Sequence, residues 1–304
     1  MESRNSILKK TKEIALKHSV DLAIPNCEGS GLGNVIVYTR LVEEFSLKMG
    51  RPISIFTGPL TPSTGTAIDE DPFAIWRHNP FIKEIKNGKQ IDKESLYIVN
   101  DERSTLIQLN HIIENICWSY GLKARELRSS LFLSTDEMKW ALEELKKLPR
   151  PLVCLHPGGN SKSSQYSPWY KDNWLKIISR IKKIAGVFQV GNYKFGDTDL
   201  GLLNPGKKIR EMMALIWASD FFIGFDSAPM HIATGFRKPV VTLFDMRQKF
   251  EKEKEYSILH VPSVLLRWSY PFNKNIAIME NDLKNSSLEV VINETERYLN
   301  NLYN

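Results

Sequence analysis

Three short runs of this chain hold side chains or backbone suited to gripping an anion or accepting a proton. The richest is Ile223-Gly224-Phe225-Asp226-Ser227-Ala228-Pro229-Met230-His231. An apolar run delivers Asp226 and Ser227 into a turn and Ala228 keeps that turn small. Pro229 suits the first position of a helix, whose backbone N–H groups then face whatever lies beyond the strand. Phosphate is the natural guest of such a terminus. The plain alternative is that Asp226 or Ser227 caps the helix, with His231 one turn in as a half-buried histidine whose hydrogen bonds are met. A second run, His156-Pro157-Gly158-Gly159-Asn160-Ser161-Lys162, also follows an apolar stretch. Its paired glycines let backbone approach an anion and Lys162 supplies a point charge, although glycines in that place also make an ordinary tight turn. The spacing is neither a Walker loop nor a Gly-x-Gly-x-x-Gly fingerprint. The third run is Glu28-Gly29-Ser30-Gly31-Leu32-Gly33-Asn34. It reads either as a plain glycine turn or as a loop over which a substrate hydroxyl approaches a base.

All three runs sit where a strand gives way to a helix. Apolar β-type stretches alternate with amphipathic helical ones along the chain, the pattern of parallel α/β sheets with helical crossovers. Strands are expected at Leu22 to Pro25, Pro52 to Thr57, Ile82 to Ile85 and Leu96 to Asn100, and helices at Val35 to Met49 and Thr105 to Tyr120. Leu60 to Asp71, rich in Pro, Thr, Ser and Gly, reads as a long loop. Ser134 and Glu137 have capping-box spacing for a helix to Lys147, and the break at Leu148 to Pro151 marks a domain boundary. Beyond it the alternation restarts with strands at 152–156, 186–190, 221–223 and 239–244. Helices are expected between them at 173–183, 209–218 and 229–236, and a last amphipathic one at 288–303. In open parallel sheets ligands bind beyond the carboxyl ends of the strands, which is where the three runs lie.

At 304 residues, with 42% hydrophobic and 25% charged, the chain has ordinary globular composition and a length that favours two domains. The net charge of +6 is uneven: residues 151–250 carry 14 Lys and Arg against 7 Asp and Glu, while the flanking segments are nearly balanced. Such a surplus suits an anionic small ligand or surface. Nucleic acid is not expected as a partner, because no basic stripe interleaved with aromatics, helix-turn-helix or RNA-binding signature is present. Cys27, Cys117 and Cys154 are odd in number and lack ligand spacing, so buried reduced thiols are expected rather than disulfides or a zinc site. No run of about 18 apolar residues occurs and the N-terminal stretch is charged and amphipathic, so a cytoplasmic protein is expected.

Taken in this order, the segments resemble glycosyltransferase family nine, the heptosyltransferases of lipopolysaccharide and related surface-glycan assembly. The family's most specific signature is Asp-Ser-Gly-Pro-Met-His, a short helix and then Gly-Lys-Pro-Val-Val-x-Leu-Phe. It stands here as DSAPMHIATGFRKPVVTLFD, Asp226 to Asp245. Weaker family-like stretches are GLGNVI at Gly31 to Ile36, HNPFIKEI at His78 to Ile85, HPGG at His156 to Gly159, the Trp169/Trp174 pair, VGN at Val190 to Asn192, and KKIREMMALIWASDFFIG before the signature.

The resemblance implies an α/β fold of GT-B type, two Rossmann-like domains with parallel sheets facing across a cleft. Residues 1–149 would form the N-terminal acceptor-binding domain and residues 150–304 the C-terminal nucleotide-sugar-binding domain with its C-terminal helix. It implies inverting, metal-independent transfer of a sugar, heptose as first guess, to a bacterial surface glycan or lipid-linked precursor. No cofactor is implied; the nucleotide-diphosphate sugar, ADP-linked as first guess, is the co-substrate. By carry-over the donor side comprises His156, Gly158, Gly159, Asn160, Lys162, Asn192, Asp226, Ser227, Ala228 and His231. The acceptor side comprises Ser30, Gly31 and Gly33. The partners implied are a nucleotide sugar and a glycan or glycolipid acceptor, with peripheral contact at the inner face of the cytoplasmic membrane permitted by the basic balance and amphipathic ends.

Two departures stand against this. The family's first loop reads Gly-Asp-Val, whose Asp is thought to be the base, and here the position is Asn34, an amide that takes no proton. The Lys commonly found two residues before the matched Trp is replaced by Ser167, with Lys162 on the same loop as its stand-in. Three readings follow: another carboxylate serves, Glu28 first and then Asp69, Glu70 or Asp71; Asn34 orients the hydroxyl and the proton leaves to solvent or donor phosphate; or the chain is a nucleotide-sugar or glycan-binding relative without transferase activity. A sugar-nucleotide epimerase of similar architecture is a further reading, against which the signature argues. Among the aromatics, Trp174 and Trp217 are expected to pack in the core, and Trp169, Tyr170, Trp268, Tyr270 and Phe272 are weighed as stacking or packing residues.

Overall fold

The structure is a computed structural model and describes residues 4–24, 32–58, 60, 71–87, 110–158, 168–191, 199–206, 208–245, 265–278 and 286–301. The chain divides into two compact units, Met1–Phe132 with Leu266–Trp268, and Leu133–Leu265 with Ser269–Asn304. In the first unit the described elements run α1 (Arg4–Lys17), β1 (Leu22–Ala23), α2 (Leu32–Met49), β2 (Ile53–Thr57), β3 (Ile82–Asn87) and α3 (Ile112–Ser119). In the second they run α4 (Thr135–Leu145), β4 (Leu152–His156), α5 (Pro168–Ile181), β5 (Gly186–Gln189), α6 (Ile209–Ala218), β6 (Phe221–Phe225), α7 (Ala228–Gly235), β7 (Val240–Asp245), β8 (Lys274–Ile278) and α8 (Ser286–Asn301). Both sheets are parallel in every described pairing, with orders β1-β2-β3 and β5-β4-β6-β7-β8. The α/β class expected from the alternation is therefore present. The strand expected at 96–100, the first part of the helix from 105 and the loop at 61–70 lie outside the described residues.

In the first unit, α2 packs nearly its whole length in the core. Val35, Ile36, Val37, Leu41 and Val42 are buried, and so are Arg40 and Glu44 on the same helix. Those charges are satisfied locally. Arg40 Nε donates to the Arg128 carbonyl at 2.8 Å and its guanidinium pairs with Glu43 at 2.8 Å, while Arg125 Nε meets Glu44 at 2.9 Å. Buried ions persist only with such partners. Tyr120 closes α3 onto the sheet, its hydroxyl donating to the Ala23 carbonyl at 3.0 Å.

In the second unit β4, β5 and β6 are buried at every residue, as strands covered on both faces must be, and so they read in sequence as continuous apolar runs. Trp174, fully buried on α5, lies edge-on to Phe225 at 6.1 Å and packs as expected. Helix α4 belongs with this sheet, although the sequence break at 148–151 lies after it. Ser134 caps α4 in a complete capping box, and the same Glu137 that closes the box receives Arg210 of α6 at 2.6 and 2.7 Å. Burial acts to raise the Glu137 carboxyl, but Arg210 and the Ser134 hydrogen bonds outweigh it and hold the group below the ordinary carboxylate range. Along the outer strand β5, the Gln189 N–H donates to the Leu203 carbonyl at 2.9 Å and the Gln189 Oε1 accepts from the Leu200 N–H at 3.0 Å, so residues 200–203 line that strand. Strand β8 and helix α1 are additions to the sequence reading.

Cys117 and Cys154 are free and buried; burial pushes the Cys117 thiol up to about 12 and Cys154 well above its ordinary value. Thiols held protonated in this way are chemically inert. Cys27 lies outside the described residues.

Candidate functional site

Strand β4 lies between β5 and β6, so the chain passes from one side of β4 to the other as it goes from β5 to β6. The strand order reverses there, and such a reversal opens a crevice at the carboxyl ends of the two strands. His156 closes β4 at that end, and Asp226 and Ser227 follow β6 beside it. In the ladder His156 is paired with Gly224. Glycine is needed at this position, because a Cβ would lie 2.8 Å from two ring atoms of Phe222 and 3.1 Å from the His156 Cβ.

Ser227 holds the N-cap position of α7 but makes no side-chain cap bond. Its hydroxyl donates instead to the Phe225 carbonyl at 2.9 Å and lies 3.0 Å from Nδ1 of the buried His156. A hydroxyl has one proton, so with that proton on the carbonyl, Nδ1 of His156 is the donor to Oγ. This geometry answers one alternative: Ser227 does not act as a capping side chain. The first turn of α7, with Pro229 at its start, keeps its positive dipole end at the mouth of the crevice.

Asp226 is fixed through its backbone N–H, which donates to the Leu243 carbonyl at 2.9 Å, and its Oδ1 lies 4.0 Å from Nε2 of His231. His231 is 3% exposed, and its other nitrogen, Nδ1, lies 2.7 Å from the hydroxyl of Tyr270, itself 0% exposed. The two rings meet edge-on with centroids 5.6 Å apart. The region thus gathers two imidazoles, one carboxylate and a helix N-terminus, a set suited to hydrogen-bonding and charge-stabilising an oxyanion.

The remaining expected site residues fall in three groups. Gly158 is buried just beyond β4, and Gly33 and Asn34 lie half-buried in the first turn of α2. Glu28, Ser30, Gly31, Asp69, Glu70, Gly159, Asn160, Lys162 and Asn192 lie outside the described residues. Asp71 has another occupation. Its carboxylate accepts from the Phe73 N–H at 3.0 Å and takes Arg77 on both oxygens, at 2.6 and 3.0 Å. A carboxylate so engaged is a poor proton acceptor, and Asp71 is better described as the residue that shapes the 71–77 turn. Tyr270, weighed in sequence only as a stacking or packing aromatic, is instead a hydrogen-bonding neighbour of the site. Among the described residues there is no cluster of three His, Cys, Asp or Glu side chains placed to hold a metal, and no helix long and apolar enough to cross a membrane.

Comparison with known proteins bears on this arrangement. The profile of glycosyltransferase family 9 (heptosyltransferase) matches residues 85–252, more than half of the chain. No curated protein matches in sequence. Among solved structures, a glycosyl transferase family 9 protein from Veillonella parvula aligns with a TM-score of 0.60 at 13% identity, over 91% of this chain and 96% of its own. The Escherichia coli ADP-heptose lipopolysaccharide heptosyltransferase II aligns at 0.56 and 12%, over 93% and 99%. The iron-containing dodecameric glycosyltransferase TibC of enterotoxigenic E. coli aligns at 0.51 and 15%, over 83% of this chain and 61% of its own. At such identities these likenesses show a shared fold.

Proposed function

The chain belongs to glycosyltransferase family 9, and on that premise we propose that it moves a sugar, heptose first, from a nucleotide-diphosphate donor, ADP-linked first, to a bacterial surface glycan or its lipid-linked precursor. One observation carries the reading. The crevice at the strand-order reversal brings the N-terminus of α7, with Ser227 turned away from capping it, together with Asp226, His156 and His231. The donor diphosphate sits on the α7 terminus, His231 hydrogen-bonds it, and Asp226 takes sugar hydroxyls; Ser227 acts by holding His156. Helix dipole, imidazole and the basic surplus of residues 151–250 offset the leaving diphosphate without a divalent metal, and the sugar is transferred with inversion. Gly158, Gly159, Asn160, Lys162 and Asn192 complete the donor side, and Ser30, Gly31 and Gly33 the acceptor side. With Asp71 engaged by Arg77, Glu28 leads as the base and Asn34 orients the acceptor hydroxyl. The site of action is the cytoplasmic face of the membrane. In support, α1 exposes Lys9, Lys12 and Lys17 together with Leu16.

The test is a thermal-shift panel of ADP, GDP, UDP, CDP and CMP with their sugar conjugates, with and without EDTA, on the wild type and on Asp226→Ala and His231→Ala. A ligand at 100 times its Kd adds about 2.7 kcal/mol to the folded state. One nucleotide is expected to stabilise the wild type, unaffected by EDTA, and to lose its effect in both variants; no shift with any of them overturns the reading. The amide at Asn34, in the first turn of α2, favours a second reading as a nucleotide-sugar-binding relative. That protein would bind the same nucleotide sugar yet release no nucleoside diphosphate with any acceptor.

A further inference from the structure

We propose that Tyr270 is a positioning residue of this site: its hydroxyl donates to Nδ1 of His231 and thereby fixes the imidazole as a hydrogen-bond donor through Nε2. Tyr270 lies beyond the residues matched by the family profile, which end at 252. The step from ring orientation to donor binding rests on the reading above.

The direction of the bond follows from what faces each ring nitrogen. On the Nε2 side stands the Asp226 carboxylate, which only accepts, 4.0 Å away. A proton on Nε2 is favoured by that negative charge and leaves Nδ1 as a lone pair, which a hydroxyl 2.7 Å away must then donate to. At 4.0 Å the carboxylate is too far for a hydrogen bond of its own; on the reading above, the Nε2–H is the donor that a phosphate oxygen of the nucleotide sugar would receive.

The segment carrying Tyr270 is itself clamped. Asn273 Nδ2 donates to Thr234 Oγ1 of α7 at 3.0 Å and to Thr242 Oγ1 of β7 at 3.1 Å. Asn275 Nδ2 holds the Tyr270 carbonyl at 2.9 Å. Two side-chain bonds to α7 and β7 and a third within the segment hold one tyrosine against one histidine. A Phe at 270 would fill the same volume, so what the hydroxyl adds is orientation.

The experiment has two arms. In the ligand-free wild type, long-range 1H–15N spectra of the histidine rings, with the His231 signals assigned by their loss in His231→Ala, are expected to show Nδ1 unprotonated and Nε2 protonated at neutral pH. In Tyr270→Phe the two tautomers are expected to exchange and their signals to average. In the second arm, titration with ADP is expected to give a Kd weakened about three- to tenfold in Tyr270→Phe, the effect of one hydrogen bond. The same substitution in the His231→Ala background is expected to change the Kd less than twofold. A proton on Nδ1 in the wild type overturns the proposal, as does a Tyr270→Phe penalty of equal size with and without His231, which would mark a merely structural tyrosine. If ADP does not bind the wild type at all, the choice of ADP as the donor's nucleotide fails, and the ring tautomers alone decide the role of Tyr270. That spectrum reads the wild type itself, and the His231→Ala variant enters only to assign its signals.

Discussion

Gly224 carries a hydrogen where another residue would press a methyl group into the Phe222 ring and against His156. Gly224→Ala is therefore expected to destabilise the second unit by about 1–3 kcal/mol, the usual cost of an overpacked core, and to displace the imidazole that holds Ser227. Urea unfolding and ADP titration together check both parts; an unchanged midpoint and Kd would mean that the ring swings aside at no cost. At this scale the sequence was partly legible. The run from Ile223 to His231 drew attention because a strand end, a short polar pair and a Pro stand in series, all of it local. The bonds that give those residues their roles are not local: His156 is 71 positions from Ser227, and Tyr270 is 39 from His231. No spacing rule reaches that far, which is why Tyr270 read as one aromatic among several, and why for Ser227 donor binding and helix capping both stayed open.

Helix α3 begins on His111, whose Nδ1 accepts from the Ile113 N–H at 3.3 Å, a role only the unprotonated ring can fill. Burial pushes this imidazole down to about 4 from its ordinary 6.5. The native state thus refuses a proton that the unfolded chain binds, so the contribution is complete above about pH 6.5 and drains away as pH falls toward 4. The gap corresponds to on the order of 3 kcal/mol. His111→Asn keeps a capping acceptor that does not titrate, and melting temperature plotted against pH is expected to be flatter for it across that window. At α4, Ser134→Ala is expected to cost about 1 kcal/mol, a lost cap. Glu137→Ala is expected to cost about 2–4 kcal/mol, since it removes the reciprocal bond and leaves the part-buried Arg210 without this carboxylate. Equal losses in denaturant unfolding would show that the Arg210 pair contributes nothing. The capping box was readable because both of its halves lie within one turn; Arg210, its third member, was not. Strand β8 went unread for a related reason. It is a five-residue outer strand bearing Lys and Asn, with only Ile276 and Ile278 buried, so it lacks the continuous apolar signal of its neighbours.

Over the whole molecule, the alternation of elements was the most legible property, because strands buried on both faces are mostly apolar, with polar residues such as His156 and Gln189 only at their ends, and announce themselves as apolar runs. Where the units divide was less so. The Pro-rich break after Leu148 is a stronger sequence signal than anything near residue 132, yet α4 packs on α6 and so falls with the second unit. Identities of 12–15% alongside TM-scores of 0.51–0.60 fit the same picture, in which burial pattern rather than residue identity specifies the scaffold. The strap of residues 200–203 along β5 has a bearing on how the protein behaves when concentrated. An outer strand with open N–H and C=O groups is a template on which a second copy can dock. By occupying that template from within the chain, Gln189 and its two bonds to the strap act as a guard against self-association. Gln189→Leu, which removes the side-chain oxygen that accepts from the Leu200 N–H of the strap, is expected to leave a folded protein whose light scattering climbs with concentration while that of the wild type stays flat.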